Sequence, residues 1–112
     1  MNHNDLEAPV LAACKQYLDL RGIAWIRING AGIKIPLGGG RYRWFRSYTC
    51  GNKKNGVADL IAVKDGLFYA IECKSGSGKQ SDDQKEFQEY VEKSGGIYII
   101  ARDIQALKER GL

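Results

Sequence analysis

The chain has 112 residues, of which 44% are hydrophobic and 27% charged. It is long enough to bury the core of one domain, 1–112, and we expect a soluble globular domain. It has neither an apolar run of membrane-spanning length nor the basic and apolar segments of a secretory signal, and we expect a cytoplasmic protein without membrane contact. Cys14, Cys50 and Cys73 are odd in number and lack C-x-x-C spacing, which indicates reduced thiols and argues against a zinc site.

The net charge of +4 is unevenly distributed along the chain. Residues 1–56 carry nine Lys/Arg and three Asp/Glu, whereas residues 57–112 carry eight and ten. A basic part followed by an acidic part is typical of a protein that holds an anionic polymer with one surface and acts on it with another.

The first predicted element is a helix that begins near Asn4 and runs to about Leu20, where Gly22 favours a stop. Glu7 falls on the apolar stripe of this helix, and a carboxylate that points toward the core needs a partner. Two interpretations remain open. Glu7 either closes a capping box with Asn4 or serves a functional site.

A short strand is predicted over 23–28, followed by a hairpin whose arms are 33–37 and 41–48. In the second arm Arg41 and Arg43 alternate with Tyr42 and Trp44, which places cations on one face and aromatic rings on the other. Arginine matches phosphate oxygens and aromatic rings stack on bases, although a half-buried strand with a solvated charged face would show the same pattern. The candidate nucleic-acid surface consists of Arg41, Arg43, Arg46, Lys53 and Lys54.

The segment 56–74 predicts the central hairpin, because Asp65-Gly66 between two apolar runs is typical of a two-residue type I′ turn. Counting outward from this turn places Asp59 directly opposite Glu72, with Lys74 on the same face. Like charges at opposed positions repel each other. Three resolutions are open: a divalent cation between the carboxylates, an ion pair of Glu72 with Lys74, or a proton on one carboxyl group.

The last part of the chain predicts a helix, a buried strand and a short helix. Ser81-Asp82-Asp83-Gln84 is a capping-box pattern for a helix that reaches about Ser94, and Gln84 can point back toward the end of the sheet. The apolar run 97–101 is typical of a strand buried on both faces, and a strand, helix, strand order favours a parallel crossover beside the central hairpin. Asp103 is expected to cap the final helix.

Asp59, followed after twelve residues by Glu72-Cys73-Lys74, resembles the motif of the PD-(D/E)xK nuclease superfamily. With Glu7 on a first helix, GVADL around Asp59 and SDDQ ending at Gln84, the chain is similar over nearly its whole length to the VRR-NUC branch, which includes stand-alone phage and bacterial proteins. One departure is Ala58, where the family usually has proline.

The resemblance implies an α/β fold with a restriction-endonuclease-like αβββαβα core, in which helices flank a mixed central sheet. It further implies that Asp59, Glu72 and the backbone carbonyl of Cys73 bind Mg²⁺ or Mn²⁺, and that Glu7 adds a ligand directly or through water. Lys74 would orient or deprotonate the attacking water, and Gln84 would position the lysine or a metal-bound water.

The function implied by the resemblance is metal-dependent hydrolysis of DNA phosphodiester bonds by an endonuclease. By extrapolation from compact members that resemble Holliday-junction resolvases, we expect selectivity for branched DNA such as Holliday junctions, action as a homodimer, and a place in the cytoplasm of a bacterial cell or a phage-infected host. The alternatives are a non-catalytic DNA-binding module of the same fold and a restriction-type endonuclease on linear duplex.

Overall fold

A computed structural model describes residues 3–28, 33–45 and 56–112, and within these residues the chain forms helices on both faces of a sheet. None of the described helices has the length and apolar character needed to cross a membrane. The elements in chain order are α1 (His3–Leu20), β1 (Ala24–Arg27), β2 (Ile33–Gly38), β3 (Arg41–Phe45), β4 (Leu60–Lys64), β5 (Leu67–Cys73), α2 (Asp82–Lys93), β6 (Ile97–Ala101) and α3 (Gln105–Glu109).

The central sheet has four strands in the order β1-β4-β5-β6. β4 is antiparallel to both of its neighbours, β1 and β5, whereas β6 runs parallel to β5, so the sheet is mixed. On one face Cys14 and Leu18 of α1 and Leu107 of α3 pack against the strands, and on the other face α2 packs through Phe87 and Val91. The predicted α/β class with a mixed sheet flanked by helices is therefore confirmed.

The central hairpin has the predicted turn and the predicted register. Asp65 and Gly66 both have positive φ, at 51° and 78°, as a type I′ turn requires. Leu60 pairs with Ile71, and the same register places Asp59, one residue before β4, opposite Glu72.

The first helix ends as predicted and begins earlier than predicted. It stops before Gly22, whose φ of 70° is typical of a helix C′ glycine. It begins at His3, so Asn4 lies inside the helix and does not cap it. The interpretation of Glu7 as the capping-box partner of Asn4 is therefore wrong.

The second helix and the strand after it also follow the sequence pattern. Ser81 is the N-cap of α2 and forms a capping box with Gln84, while Phe87 and Val91 are buried. β6 lies parallel to β5, as expected for a strand, helix, strand crossover. The prediction that Asp103 caps α3 is wrong, because the N-cap is Ile104, which has no capping side chain. Asp103 lies one residue earlier, and its Oδ1 accepts a hydrogen bond from the backbone N–H of Gln105 at 3.0 Å.

The hairpin of β2 and β3 forms a separate two-stranded antiparallel sheet. Arg41 and Arg43 are exposed and alternate with Tyr42 along β3, as predicted. The Lys34 ammonium lies 3.9 Å from the centre of the Tyr42 ring, so the aromatic face also carries a cation. The remaining cations of the predicted nucleic-acid surface lie outside the described residues: Arg46, Lys53 and Lys54.

Candidate active site

The site residues predicted from the sequence come together around one cavity of about 630 Å³. Side chains from α1, the start of β4, the end of β5 and the start of α2 meet there, because the hairpin register and the parallel crossover bring these element ends to one edge of the sheet. The predicted residues that line it are Glu7, Asp59, Glu72, Cys73, Lys74 and Gln84.

Asp59 is held against β5 by its own carboxylate. Its Oδ2 accepts a hydrogen bond from the backbone N–H of Cys73 at 2.7 Å. This bond joins the start of β4 to the residue after Glu72, so the carboxylates of Asp59 and Glu72 lie on the same side of the hairpin and interact with each other.

Glu72 is a buried carboxyl group with one satisfied oxygen and one unsatisfied oxygen. The residue is 3% exposed. Its Oε1 accepts a hydrogen bond from Gln84 Nε2 at 2.7 Å and lies 3.7 Å from the Lys74 ammonium. Its Oε2 is buried, and no group in the described part of the chain donates a hydrogen bond to it.

The surroundings of Glu72 raise the pKa of its carboxyl group to about 8. Burial is the largest cause, and the negative charge of Asp59 is the next. The charge of Lys74 acts in the opposite direction but does not outweigh them. The Lys74 ion pair therefore exists without removing the conflict between the two acids, and their proximity favours the protonated form of Glu72.

Gln84 connects the start of α2 to Glu72. The side-chain oxygen of Gln84 accepts a hydrogen bond from the backbone N–H of Ser81 at 2.8 Å, and the backbone N–H of Gln84 donates to the Ser81 hydroxyl at 3.1 Å. Because the oxygen is used in the capping box, the amide nitrogen faces Glu72. The sequence placed Gln84 in the site, and the structure shows that its side-chain partner there is Glu72 and not Lys74.

Gly56 lets the chain before Asp59 pass directly over the first turn of α2. It has a φ of 78°, and a Cβ at this position would lie 2.4 Å from the carbonyl carbon of Asp83 and 2.7 Å from the backbone nitrogen of Gln84. Only glycine fits such an approach. Sequence analysis did not assign this role, and the sole signal was a glycine just before the β4 segment.

Glu7 lies to one side of the acid pair. A Cβ on Gly78 would lie 3.2 Å from Glu7 Oε1, so this carboxylate faces the loop at residues 75–78. Of the causes that act on the pKa of Glu72, the charge of Glu7 is the smallest. Among the described residues no group of three or more His, Cys, Asp and Glu side chains is arranged to hold a metal ion.

The cysteine beside the site points away from it. Cys73 and Cys14 are buried free thiols in the core between α1 and the sheet. A hydrogen bond between them lowers the pKa of Cys14, whereas that bond and burial raise the pKa of Cys73. Cys73 therefore contributes its backbone to the site, and its thiol belongs to the core. Cys50 lies outside the described residues.

Arg27, at the end of β1, also lines the cavity and was not assigned by sequence analysis.

Comparisons of the chain with protein-family models, with curated proteins and with solved structures found no match.

Proposed function

We propose that this chain is a metal-dependent DNA endonuclease of the PD-(D/E)xK type, similar to the VRR-NUC branch. The proposal is supported above all by one observation: Asp59 and Glu72 face each other in a cavity, and a buried oxygen of Glu72 has no donor among the described residues. An acid pair of this kind is costly to a protein that does not use it. Lys74 beside the pair completes the motif.

The acid pair fits a hard divalent cation such as Mg²⁺ or Mn²⁺. Magnesium in proteins is commonly held by one or two carboxylates and keeps several waters, so Asp59 and Glu72 suffice, with the Cys73 carbonyl as a further donor. Glu7 would act through water, since it lies toward the 75–78 loop. When bound, the cation would supply a Lewis acid for the phosphoryl oxygen and a water that is nucleophilic near neutral pH.

The remaining side chains have separate roles. Gln84 occupies Glu72 Oε1 and so leaves Oε2 for the cation. Lys74, whose ammonium lies 3.7 Å from Oε1, is placed to orient the attacking water and to offset the charge that builds on the phosphate. Asp59, fixed through the Cys73 amide, needs no rearrangement to serve as a ligand.

We propose branched DNA as the substrate and a homodimer as the acting form. The exposed Arg41 and Arg43 on the β2–β3 hairpin supply positive charge suited to a phosphate backbone. Two symmetric cuts in a four-way junction require two sites, which two copies of the chain would provide.

The test is a cleavage assay on four-way junctions, flaps and linear duplex, with Mg²⁺ and with EDTA. We expect paired nicks in junctions that require the metal and that are lost in Asp59→Ala and Lys74→Ala while DNA binding remains. Binding without cleavage by the unaltered protein would instead indicate a non-catalytic module, and cleavage at one defined site on linear duplex would indicate a restriction-type enzyme.

A further inference from the structure

Arg27 is a cation held at the edge of the acidic cavity. It ends β1, the edge strand of the central sheet, and pairs there with Leu60, the first residue of β4. It lines the same cavity as Asp59, Glu72 and Lys74. Arg27 is not one of the motif residues, and their proposed roles do not explain why a cation lies at this position.

We propose that Arg27 binds a phosphate next to the bond that is cut, and that it holds the backbone of Asp59 in place at the same time. The inference rests on the proposed function and identifies Arg27 as the residue that contacts the substrate strand beside the acid pair.

One nitrogen of the Arg27 guanidinium is used to fix the side chain. Nη1 donates to the backbone carbonyl of Asp59 at 3.0 Å and to the carbonyl of Ile28. The same Asp59 carbonyl also accepts from the Ile28 N–H at 2.8 Å, so the end of β1 is tied to the residue that carries the first carboxylate. The guanidinium is thus oriented before any ligand arrives, which reduces the entropy lost on binding.

Within the part of the chain that the structure describes, Nη1 is the guanidinium nitrogen that has hydrogen-bond partners. The side chain is 36% exposed, and its nearest described carboxylate oxygen, Asp59 Oδ1, is 3.8 Å away. No described residue accepts a hydrogen bond from Nε or Nη2. A planar guanidinium whose Nε and Nη2 have no acceptor among the described residues matches the oxygens of a phosphodiester.

The charge of the cavity also favours this role. Asp59 and the other acids that line it would repel a phosphate backbone, and Lys74 is already engaged with Glu72. Arg27 and the exposed Lys79 are the further cations that line the cavity. Arg41 and Arg43 belong to a separate sheet, whereas Arg27 is bonded to Asp59, so of these three arginines Arg27 is the one tied to the acid pair.

The experiment measures the salt dependence of DNA binding and the cleavage kinetics of Arg27→Ala and Arg27→Lys. Binding is measured in EDTA, so that it does not depend on cleavage. Loss of one phosphate contact reduces the magnitude of the negative slope of log K against log salt by roughly 0.9 on duplex DNA. We expect this reduction in Arg27→Ala. Arg27→Lys should keep the slope but bind about 10-fold more weakly, because an ammonium cannot form the bidentate contact.

Arg21→Ala is the matched control. Arg21 also donates to a backbone carbonyl, that of Leu112, but it does not line the site cavity. The slope of log K against log salt for Arg21→Ala should equal that of the unaltered protein. Thermal unfolding of every variant in EDTA reports whether the tie to Asp59 contributes to folding.

The outcomes separate this inference from the proposed function. If the unaltered protein binds and cuts DNA but Arg27→Ala has an unchanged salt slope, Arg27 only positions Asp59 and the phosphate contact is refuted. If the unaltered protein neither binds nor cuts, both the function and this inference are refuted together. A slope of smaller magnitude with retained folding supports the inference where the unaltered protein cuts DNA. If the unaltered protein binds DNA without cutting it, the proposed function and the position of Arg27 next to a cut bond are refuted, and the phosphate contact alone remains.

Discussion

Replacing Glu72 by glutamine should stabilise the protein in the absence of metal while it abolishes cleavage. The carboxyl group of Glu72 is buried beside Asp59, and these surroundings raise its pKa from the ordinary value of 4.5 to about 8. Glutamine keeps the oxygen that accepts from Gln84. Its amide N–H group can donate to the Asp59 carboxylate, so glutamine reproduces the neutral form of the side chain without a titration.

The size of the effect follows from the difference between the two pKa values. Below pH 4.5 both the folded and the unfolded carboxyl carry a proton, and Glu72 contributes no penalty. As the pH rises toward 8, the unfolded carboxyl ionises and the folded one does not, so stability is lost at about 1.4 kcal/mol for each pH unit. At pH 7 the loss amounts to roughly 3 kcal/mol as an upper limit, and above about pH 8 it no longer grows.

The assay is urea unfolding of the unaltered protein and of Glu72→Gln at pH 5, 6, 7 and 8 in EDTA. The free energy of unfolding of the variant should exceed that of the unaltered protein by an amount that increases with pH up to about 8. Glu89→Gln, the same chemical change at an exposed position of α2, should show no such trend. A Glu72→Gln variant that is less stable at pH 7, or a difference that does not grow with pH, would refute the assigned burial of the charge.

Three further outcomes are expected. Binding of the proposed Mg²⁺, measured as the rise in unfolding temperature, should weaken up to tenfold for each pH unit below about 8, because the cation and the proton would compete for Glu72. A pH-independent rise would contradict this. Gly56→Ala should lower the free energy of unfolding by at least about 2 kcal/mol, since the added Cβ meets the α2 backbone and the positive φ is strained for alanine. The control is Gly76→Ala, where a Cβ meets nothing within 4 Å, and it should change the free energy of unfolding by less than about 0.5 kcal/mol. Equal effects of the two substitutions would refute the close approach of Gly56 to α2. Ser81→Ala should lower the free energy of unfolding by about 1 kcal/mol through loss of the N-cap, and it should weaken the proposed Mg²⁺ binding because Gln84 is no longer held. Ser81→Asp should restore most of the stability. Unchanged Mg²⁺ binding in Ser81→Ala would show that the cap does not position Glu72.

The features that sequence reasoning predicted correctly are those set by a few neighbouring residues. The Asp65-Gly66 turn determined the register of the central hairpin and with it the opposition of Asp59 and Glu72. Gly22 marked the end of α1, and Ser81 marked the start of α2. In each case a local backbone conformation or a capping hydrogen bond allows only a few residue types, so the sequence carries the information directly.

The weaker local signals failed or were incomplete. Asn4 was a plausible N-cap by residue type, but α1 begins one residue earlier and includes it. Gln84 was placed in the site with the lysine or a metal-bound water as its expected partner, and the hydrogen bond to Glu72 was not predicted, because the pattern showed which way the helix face points and not what lies opposite it.

The tertiary structure alone decided how the site is charged and held. The raised pKa of Glu72 depends on how completely α2 and the sheet exclude water from it, and that exclusion cannot be read from strand pairing. Arg27 reaches Asp59 because β1 takes the edge next to β4, across 32 positions of the chain. Desolvation and contacts between distant segments are set by packing, whereas turns and caps are set by adjacent residues, and this difference separates what the sequence determined from what required the fold.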